Sequence, residues 1–430
     1  MKTSLYTLKN GLRVILVDTE SFPSATTLLL VGAGSRYETK RNNGIAHFFE
    51  HMAFKGSKKY PSAFKISSLI DGLGGVFNAF TSKDYTGYYI KAPTRHFTTS
   101  IDVIADMIQH PLLKQEEIDR ERGVIVEEIN MYEDSPARDV YNVYESLLYK
   151  GHPLGFMITG DKTSVSGINR QTFLDYINSF YHPNNAVLVV SGGLTHNEFA
   201  KDMGFYKELI SHKFSSWKKK EVGMFKKYSP SQKKSRVLVK HKRTEQYHFL
   251  LGFRSFSFLD KRRWALSILS SILGGGMSSR LFVEIREKRG LAYYVGTSVE
   301  AYHDTGSLIL SAGVRADRQV LSQAIELMIA ECRKVAKGEV TKKELRKVKD
   351  MAKGRFLLSL EDSSSVASYY GNLQLLERRV EQPQDAMKRI EAVTMDQVVQ
   401  VAHDIIRSDG LNMAAIGEIE EKNVKKTLKL

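Results

Sequence analysis

The chain alternates between two kinds of apolar pattern. Short runs rich in Val, Ile and Leu predict strands over 12–17, 25–31 and 186–191. The first follows the turn signal Lys9-Asn10-Gly11, and Gly192-Gly193 closes the third. Apolar residues three and four apart predict helices over 62–73, with Phe64, Leu69, Ile70 and Leu73 as the apolar set, and over 97–108, 140–148 and 170–181. Residues 76–81 and 84–91, after glycines at 72, 74 and 75, read as a strand pair. A longer helix over 114–133 carries Ile118, Ile125, Ile129 and Tyr132 on one stripe. Between the turn-rich stretches 32–35 and 56–61 lies one more helical segment, residues 44–54.

The same order of elements returns after residue 234. Residues 236–239 and 247–253 repeat the two opening strands. Residues 261–273 repeat the 44–54 segment, and 341–362 mirror the 114–133 helix. Glu117-Ile118-Asp119-Arg120 aligns with Glu344-Leu345-Arg346-Lys347, and Tyr132-Glu133-Asp134-Ser135 with Leu360-Glu361-Asp362-Ser363. The predicted fold class is α+β, with two homologous domains over 1–210 and 235–430. Each is a mainly antiparallel sheet packed with helices. Residues 211–234, basic and without periodicity, are the expected linker.

One half of this repeat carries polar residues on faces that the pattern turns inward. His47-Phe48-Phe49-Glu50-His51 places two imidazoles four apart, one helical turn above the other. With 12 His in 430 residues, about 0.02 matches to this spacing arise by chance. It is the inverzincin spacing. Two His and a carboxylate hold zinc, one position stays open, and a nearby Glu takes a proton from water as it attacks a carbonyl. Glu121 and Glu128 fall three residues after Ile118 and Ile125 and seven apart, on the apolar stripe, whereas Glu127 is turned off it. Carboxylates facing inward are costly unless paired or metal-bound. Glu128 is therefore the expected third ligand, and Glu121 the acid that orients a ligand His. Taken singly, each residue also has an ordinary reading, as a half-buried His or a stripe-edge Glu reaching water. The second half decides between them. It has no His in 261–273, and Arg355 and Val348 stand opposite Glu128 and Glu121. Joint loss of the set in one copy marks it as functional in the other.

Composition limits the remaining options. One cysteine, Cys332, excludes an internal disulfide and a cysteine-based zinc site. No run of 18 apolar residues occurs, so no membrane-spanning helix is expected. No apolar stretch of signal-peptide type follows Met1, which makes a cytoplasmic protein the expectation. The net charge of +15 is partly concentrated in Lys218-Lys219-Lys220, Lys226-Lys227, Lys233-Lys234 and Lys240-His241-Lys242-Arg243. No nucleic-acid-binding motif accompanies that charge, which favours a solvated basic linker over nucleic-acid binding. The glycine-rich stretch 273–282 lacks the Lys-Ser/Thr ending of a phosphate loop. His152 and His182 precede prolines in loops and read as structural or exposed.

The motifs and their order resemble the pitrilysin/insulinase family of zinc metallopeptidases, particularly its mitochondrial-processing-peptidase-like branch. The resemblance rests on Asn10-Gly11-Leu12-Arg13-Val14, on His47-Phe48-Phe49-Glu50-His51-Met52-Ala53-Phe54-Lys55-Gly56 and on Asn78-Ala79-Phe80-Thr81. It extends to Glu121-Arg122-Gly123-Val124-Ile125-Val126-Glu127-Glu128-Ile129, the glycine-rich stretch and residues 286–293. It implies one Zn2+ per chain, held by His47, His51 and Glu128, with Glu50 as general base and Glu121 as supporting acid. It also implies that Asn78, Ala79, Phe80 and Thr81 form an edge binding substrate as an added strand. Arg286 and Tyr293 match an Arg/Tyr pair that contacts substrate and stabilises the oxyanion.

Relatives made of one long polypeptide enclose a clamshell chamber with four such domains. Two domains here imply a second subunit, a copy or a related partner, whose site Arg286 and Tyr293 would complete. Mitochondrial processing enzymes carry acidic residues after the third ligand that read a substrate Arg. Here that region holds Arg138 and Asn142, with Asp139 adjacent. The expectation is a zinc endopeptidase cleaving unfolded oligopeptides in a closed chamber. The alternative is a non-catalytic or partner-dependent subunit of a heterodimeric processing peptidase.

Overall fold

A computed structural model describes residues 1–20, 22–200 and 202–428. Eleven strands among these form two sheets. The first contains β1 (Lys2–Thr7), β2 (Arg13–Asp18), β3 (Ser24–Val31), β4 (Val76–Thr81), β5 (Thr86–Pro93) and β6 (Ala186–Gly192), in the order β1-β2-β6-β3-β5-β4. The second contains β7 (Arg236–Lys240), β8 (Gln246–Ser255), β9 (Ala292–Ala301), β10 (Gly306–Arg315) and β11 (Leu411–Ile416), in the order β7-β11-β8-β10-β9. Apart from β1, the two orders superpose element for element, as the repeat requires. All pairings are antiparallel except β2 with β6 and β7 with β11. The sequence pattern does not predict β1, because its Lys-Thr-Ser-Leu-Tyr-Thr run is largely polar and pairs along one side only.

The chain halves and the compact units differ. One unit comprises residues 1–129, 156–226 and 357–381, and the other 130–155, 227–356 and 382–430. The linear division 1–210, 211–234 and 235–430 therefore misses an exchange of two helices. Pro136–Leu148 belongs to the unit of the second sheet, and Ser363–Leu376 to the unit of the first. The physical reason is that each sheet has two apolar faces. In the first sheet, Val14, Leu16, Leu29 and Leu188 pack under helices of the first chain half. Ile15, Val17, Leu28, Leu30, Val187 and Val189 face the other way and are covered by Val366, Ala367 and Tyr370. A Cβ at Gly371 would lie 2.6 Å from Leu30 Cδ1, so glycine is what lets the exchanged helix approach. In the second sheet, Leu250, Ile309, Ala414 and Ile416 are covered by Val140, Tyr144 and Leu148. Coverage on both faces explains why β2 and β6 are buried at every position, and why residues 14–17 and 186–190 within them are unbroken apolar runs. Each buried apolar side chain of this kind contributes roughly 1.5–3 kcal/mol.

The helix Ala63–Gly72 buries Ile66 and Ile70, while Phe64 is 79% exposed, which corrects the predicted apolar set. Most of the expected linker has no regular structure, yet it is held down. Asn184 Nδ2 donates to Lys220 O at 2.9 Å, and the Arg36 guanidinium lies 3.8 Å above the Phe225 ring. Further on, the Tyr228 amide donates to Asp304 Oδ2 at 2.7 Å. His152 and His182 are buried, and His182 Nε2 lies 2.8 Å from Asn178 O, a structural contact.

Candidate metal centre

The helix Ile45–Ala53 carries the two imidazoles, and its surroundings fix it firmly. Phe48 meets Phe173 edge to face at 5.0 Å, and Phe49 meets Tyr181 at 4.8 Å. With these rings buried, His47, Glu50 and His51 take the remaining face. The helix begins at Gly44, whose φ of 94° and 2.7 Å Cβ approach to Thr159 O exclude a side chain. Glu38, in the preceding loop, closes this N-terminus. Its Oε2 accepts from Gly44 N and Asn43 Nδ2, both at 2.8 Å, and its Oε1 accepts from Ala46 N at 2.9 Å. A carboxylate there satisfies orphan amides and complements the helix dipole. Burial nevertheless pushes its pKa up to about 7, against the pull of those three donors. No sequence pattern marks Glu38, because it caps from six to eight residues upstream.

The helix Gln115–Glu133 supplies the carboxylates. Ile118, Ile125 and Ile129 are buried as predicted, and Glu127 is exposed. Glu128 Oε2 lies 3.5 Å from His47 Nε2 and 3.7 Å from His51 Nε2. One donor atom from each of the three side chains falls within 4.8 Å of the others. Atoms bonded at about 2.0–2.2 Å to one tetrahedral zinc lie about 3.3–3.6 Å apart, so this donor set fits that ion. Glu121 sits two turns back and is 4% exposed. Its Oε2 lies 3.0 Å from His51 Nδ1, and its Oε1 lies 2.5 Å from Lys55 Nζ. In the tautomer whose Nδ1–H donates to Glu121 Oε2, the His51 Nε2 lone pair is left facing Glu128.

Burial and neighbouring charges shift the ionisable groups of this site in different directions. Burial, with help from the neighbouring His51, lowers the His47 pKa to about 3, so its ring is neutral and ready to bind metal. Burial also works against a charged His51, but Glu121, Glu50 and Glu128 outweigh it and raise its pKa. Burial raises Glu128, with His51 opposing. Burial also opposes the charge on Glu121, but hydrogen bonds from His51 and Lys55 hold its carboxyl below the ordinary value. Glu50 is raised by burial, while the Thr81 hydroxyl, donating to its Oε2 at 2.6 Å, pulls the other way.

Among the other predicted residues, Asn78, Ala79, Phe80 and Thr81 lie on β4, the edge of the first sheet, which pairs only with β5 among the described strands. The Ala79 amide there donates to Asn78 Oδ1 at 2.8 Å. Arg286 and Tyr293 come together, with the guanidinium 5.6 Å from the Tyr293 ring, and Tyr293 is 74% exposed. Both belong to the other compact unit, outside the one that holds His47, Glu50, His51 and Glu128. In the second copy, Arg355 stands in the place of Glu128, and its Nη1 donates to Gly275 O at 2.5 Å.

The facing His47 and His51 imidazoles, the Glu128 carboxylate against them and Glu50, one turn from His47 on the same helix, form a candidate metal centre. Residues 13–162 match the insulinase family (peptidase family M16), and residues 167–352 match that family's inactive domain. The chain belongs to this family. It is 35% identical over 407 residues to the uncharacterized zinc protease YmxG of Bacillus subtilis, covering 94% of this chain and 96% of that one. It is 33% identical over 427 residues to an uncharacterized zinc protease of Streptomyces coelicolor, covering 98% and 90%. A crystal structure of a protease from Helicobacter pylori superposes with a TM-score of 0.89 at 27% identity, over 97% of this chain and 99% of that one. The fold is also shared with a Pseudomonas fluorescens structure titled as a peptidase M16 inactive domain. That TM-score is 0.88 at 19% identity, over 98% of this chain and 99% of that one. No described helix is long and apolar enough to cross a membrane.

Proposed function

We propose that this protein is a zinc-dependent endopeptidase acting on extended, unfolded peptides. The observation that carries the reading is the convergence of His47 Nε2, His51 Nε2 and Glu128 Oε2 at 3.5 and 3.7 Å. These three residues would hold the ion. A bound zinc would supply Lewis acidity, making water nucleophilic near neutral pH. Glu50, on the same helical face, takes the proton from that water and returns it to the leaving amine. Its pKa, raised by burial, favours this role, since a base is most effective when its pKa approaches the working pH. Glu121 holds His51 in the tautomer that presents Nε2. The β4 edge offers a strand-like substrate backbone partners, and a substrate carbonyl would take over the Ala79 amide from Asn78. An extended, unfolded peptide is the ligand that fits such an edge. Arg286 and Tyr293 stay outside this reading, because their assignment rests on the resemblance alone.

The test is cleavage of a quenched, unstructured peptide by zinc-loaded wild type and by Glu50→Gln. The expected result is turnover by wild type, and Glu50→Gln slower by about 10²–10⁴ with its zinc retained. Equal turnover would overturn Glu50 as the base. Zinc bound with no turnover by either protein would favour the partner-dependent alternative.

A further inference from the structure

The helix with the imidazoles and the helix with the carboxylates meet along one seam. On the first, His47, His51 and Lys55 are spaced by four. The Lys55 amide donates to Met52 O, which continues the helical turn past Ala53. On the second, Glu128 and Glu121 are spaced by seven. Glu128 faces His47 and His51, whereas Glu121 faces His51 and Lys55, so the contacts step in opposite directions along the two helices. His51 is the shared member, with Nε2 towards one glutamate and Nδ1 towards the other.

We propose that Lys55 is a positioning residue of the metal centre, acting through Glu121 on His51. The Glu121 side chain is buried to within 5% of full burial, and its two oxygens are divided between two partners. One serves His51 Nδ1 and the other Lys55 Nζ. Without the ammonium, a buried anion would be left with one imidazole donor, and its carboxylate would be free to turn. The carboxylate plane then sets the His51 ring, and the ring sets the direction of Nε2. The Lys55 side chain is 25% exposed, so its ammonium reaches Glu121 from the rim and is only partly desolvated. The inference rests on His51 being a metal ligand.

The experiment measures Zn2+ dissociation constants of the full chain by competition with a chromophoric chelator. The proteins are wild type, Lys55→Met, Lys55→Arg, Glu121→Gln and the Lys55→Met/Glu121→Gln double variant. Lys55→Met is expected to weaken zinc binding about ten- to a hundredfold, as loss of an outer partner of a ligand does. Lys55→Arg should recover most of that loss. In the Glu121→Gln background, Lys55→Met should change the constant by less than about threefold, because the two act in series. Lys55→Gln takes the place of Lys55→Met should the latter not fold, as judged by circular dichroism of the zinc-free chain. Wild-type affinity in Lys55→Met, or the same loss with and without Glu121, would overturn the proposal. Wild type that binds no zinc would overturn the metal-site reading itself. The two failures are therefore distinct.

Discussion

Thr81 Oγ1 donates to Glu50 Oε2 at 2.6 Å. Thr81 is the last residue of the edge strand β4, and Glu50 lies within the helix that carries the imidazoles. The proposed base is thereby tied to the proposed substrate-binding edge, and one oxygen of its carboxylate is already engaged.

This contact predicts a pH effect. The donor stabilises ionised Glu50, so removing it raises the Glu50 pKa further above its ordinary value. A base must be ionised to act, so the acid limb of kcat/KM moves to higher pH in Thr81→Val. A hydrogen bond to a charged group contributes about 1.5–3 kcal/mol, which corresponds to a shift of about one to two pH units. Thr81→Ser keeps the hydroxyl and should keep the wild-type profile. A pH series with a peptide substrate measures it, and an unmoved limb in Thr81→Val would show that the hydrogen bond does not tune the base.

Removing a ligand should differ in kind from removing the base. Glu128→Gln takes away the only carboxylate among the three converging groups, so zinc binding should weaken by more than about a hundredfold, beyond the loss of an outer partner. Zinc content after dialysis against a weak chelator reads this directly. Glu50→Gln, treated alike, should retain its ion. Full zinc occupancy in Glu128→Gln would mean that another group is the third ligand.

A prediction about stability concerns Asp102, which anchors the turn after the His47–His51 helix. It accepts from Tyr60 Oη at 2.6 Å and Lys213 Nζ at 2.5 Å, and also pairs with Lys59. Burial opposes its charge, but these donors hold its pKa down to about 2. A folded-state pKa below the unfolded value adds stability above about pH 4, which is lost as pH falls from about 4 towards 2. The contribution is on the order of 2 kcal/mol. Asp102→Asn should lower the urea midpoint at pH 7 and lose less stability than wild type between pH 4 and 2. Parallel acid profiles for the two proteins would rule this account out.

Much of the site was legible because helical periodicity is a local property. His47 and His51 lie one turn apart whatever packs around them, and Glu121 and Glu128 stand on the stripe that Ile118 and Ile125 define. The repeat added that Arg355 replaces Glu128 in the second copy. Periodicity failed at Phe64, where the buried positions are Ile66 and Ile70 and the Phe64 ring is exposed.

What the chain's own pattern determined, then, is the two-fold repeat, the apolar strand runs, and the helical faces on which His47, His51, Glu121 and Glu128 stand. Only the tertiary structure decided which sheet receives each exchanged helix, that Glu38 caps the His47–His51 helix, and that Lys55 reaches Glu121 while Thr81 reaches Glu50. The reason is range. A helical period acts over four to eight residues. By contrast, Glu121 and His51 are 70 positions apart, and Thr26 and Ser363, which bond at 2.8 Å, are 337 apart. Contacts that distant depend on which apolar faces close together, and many sequences with the same local pattern could close them differently.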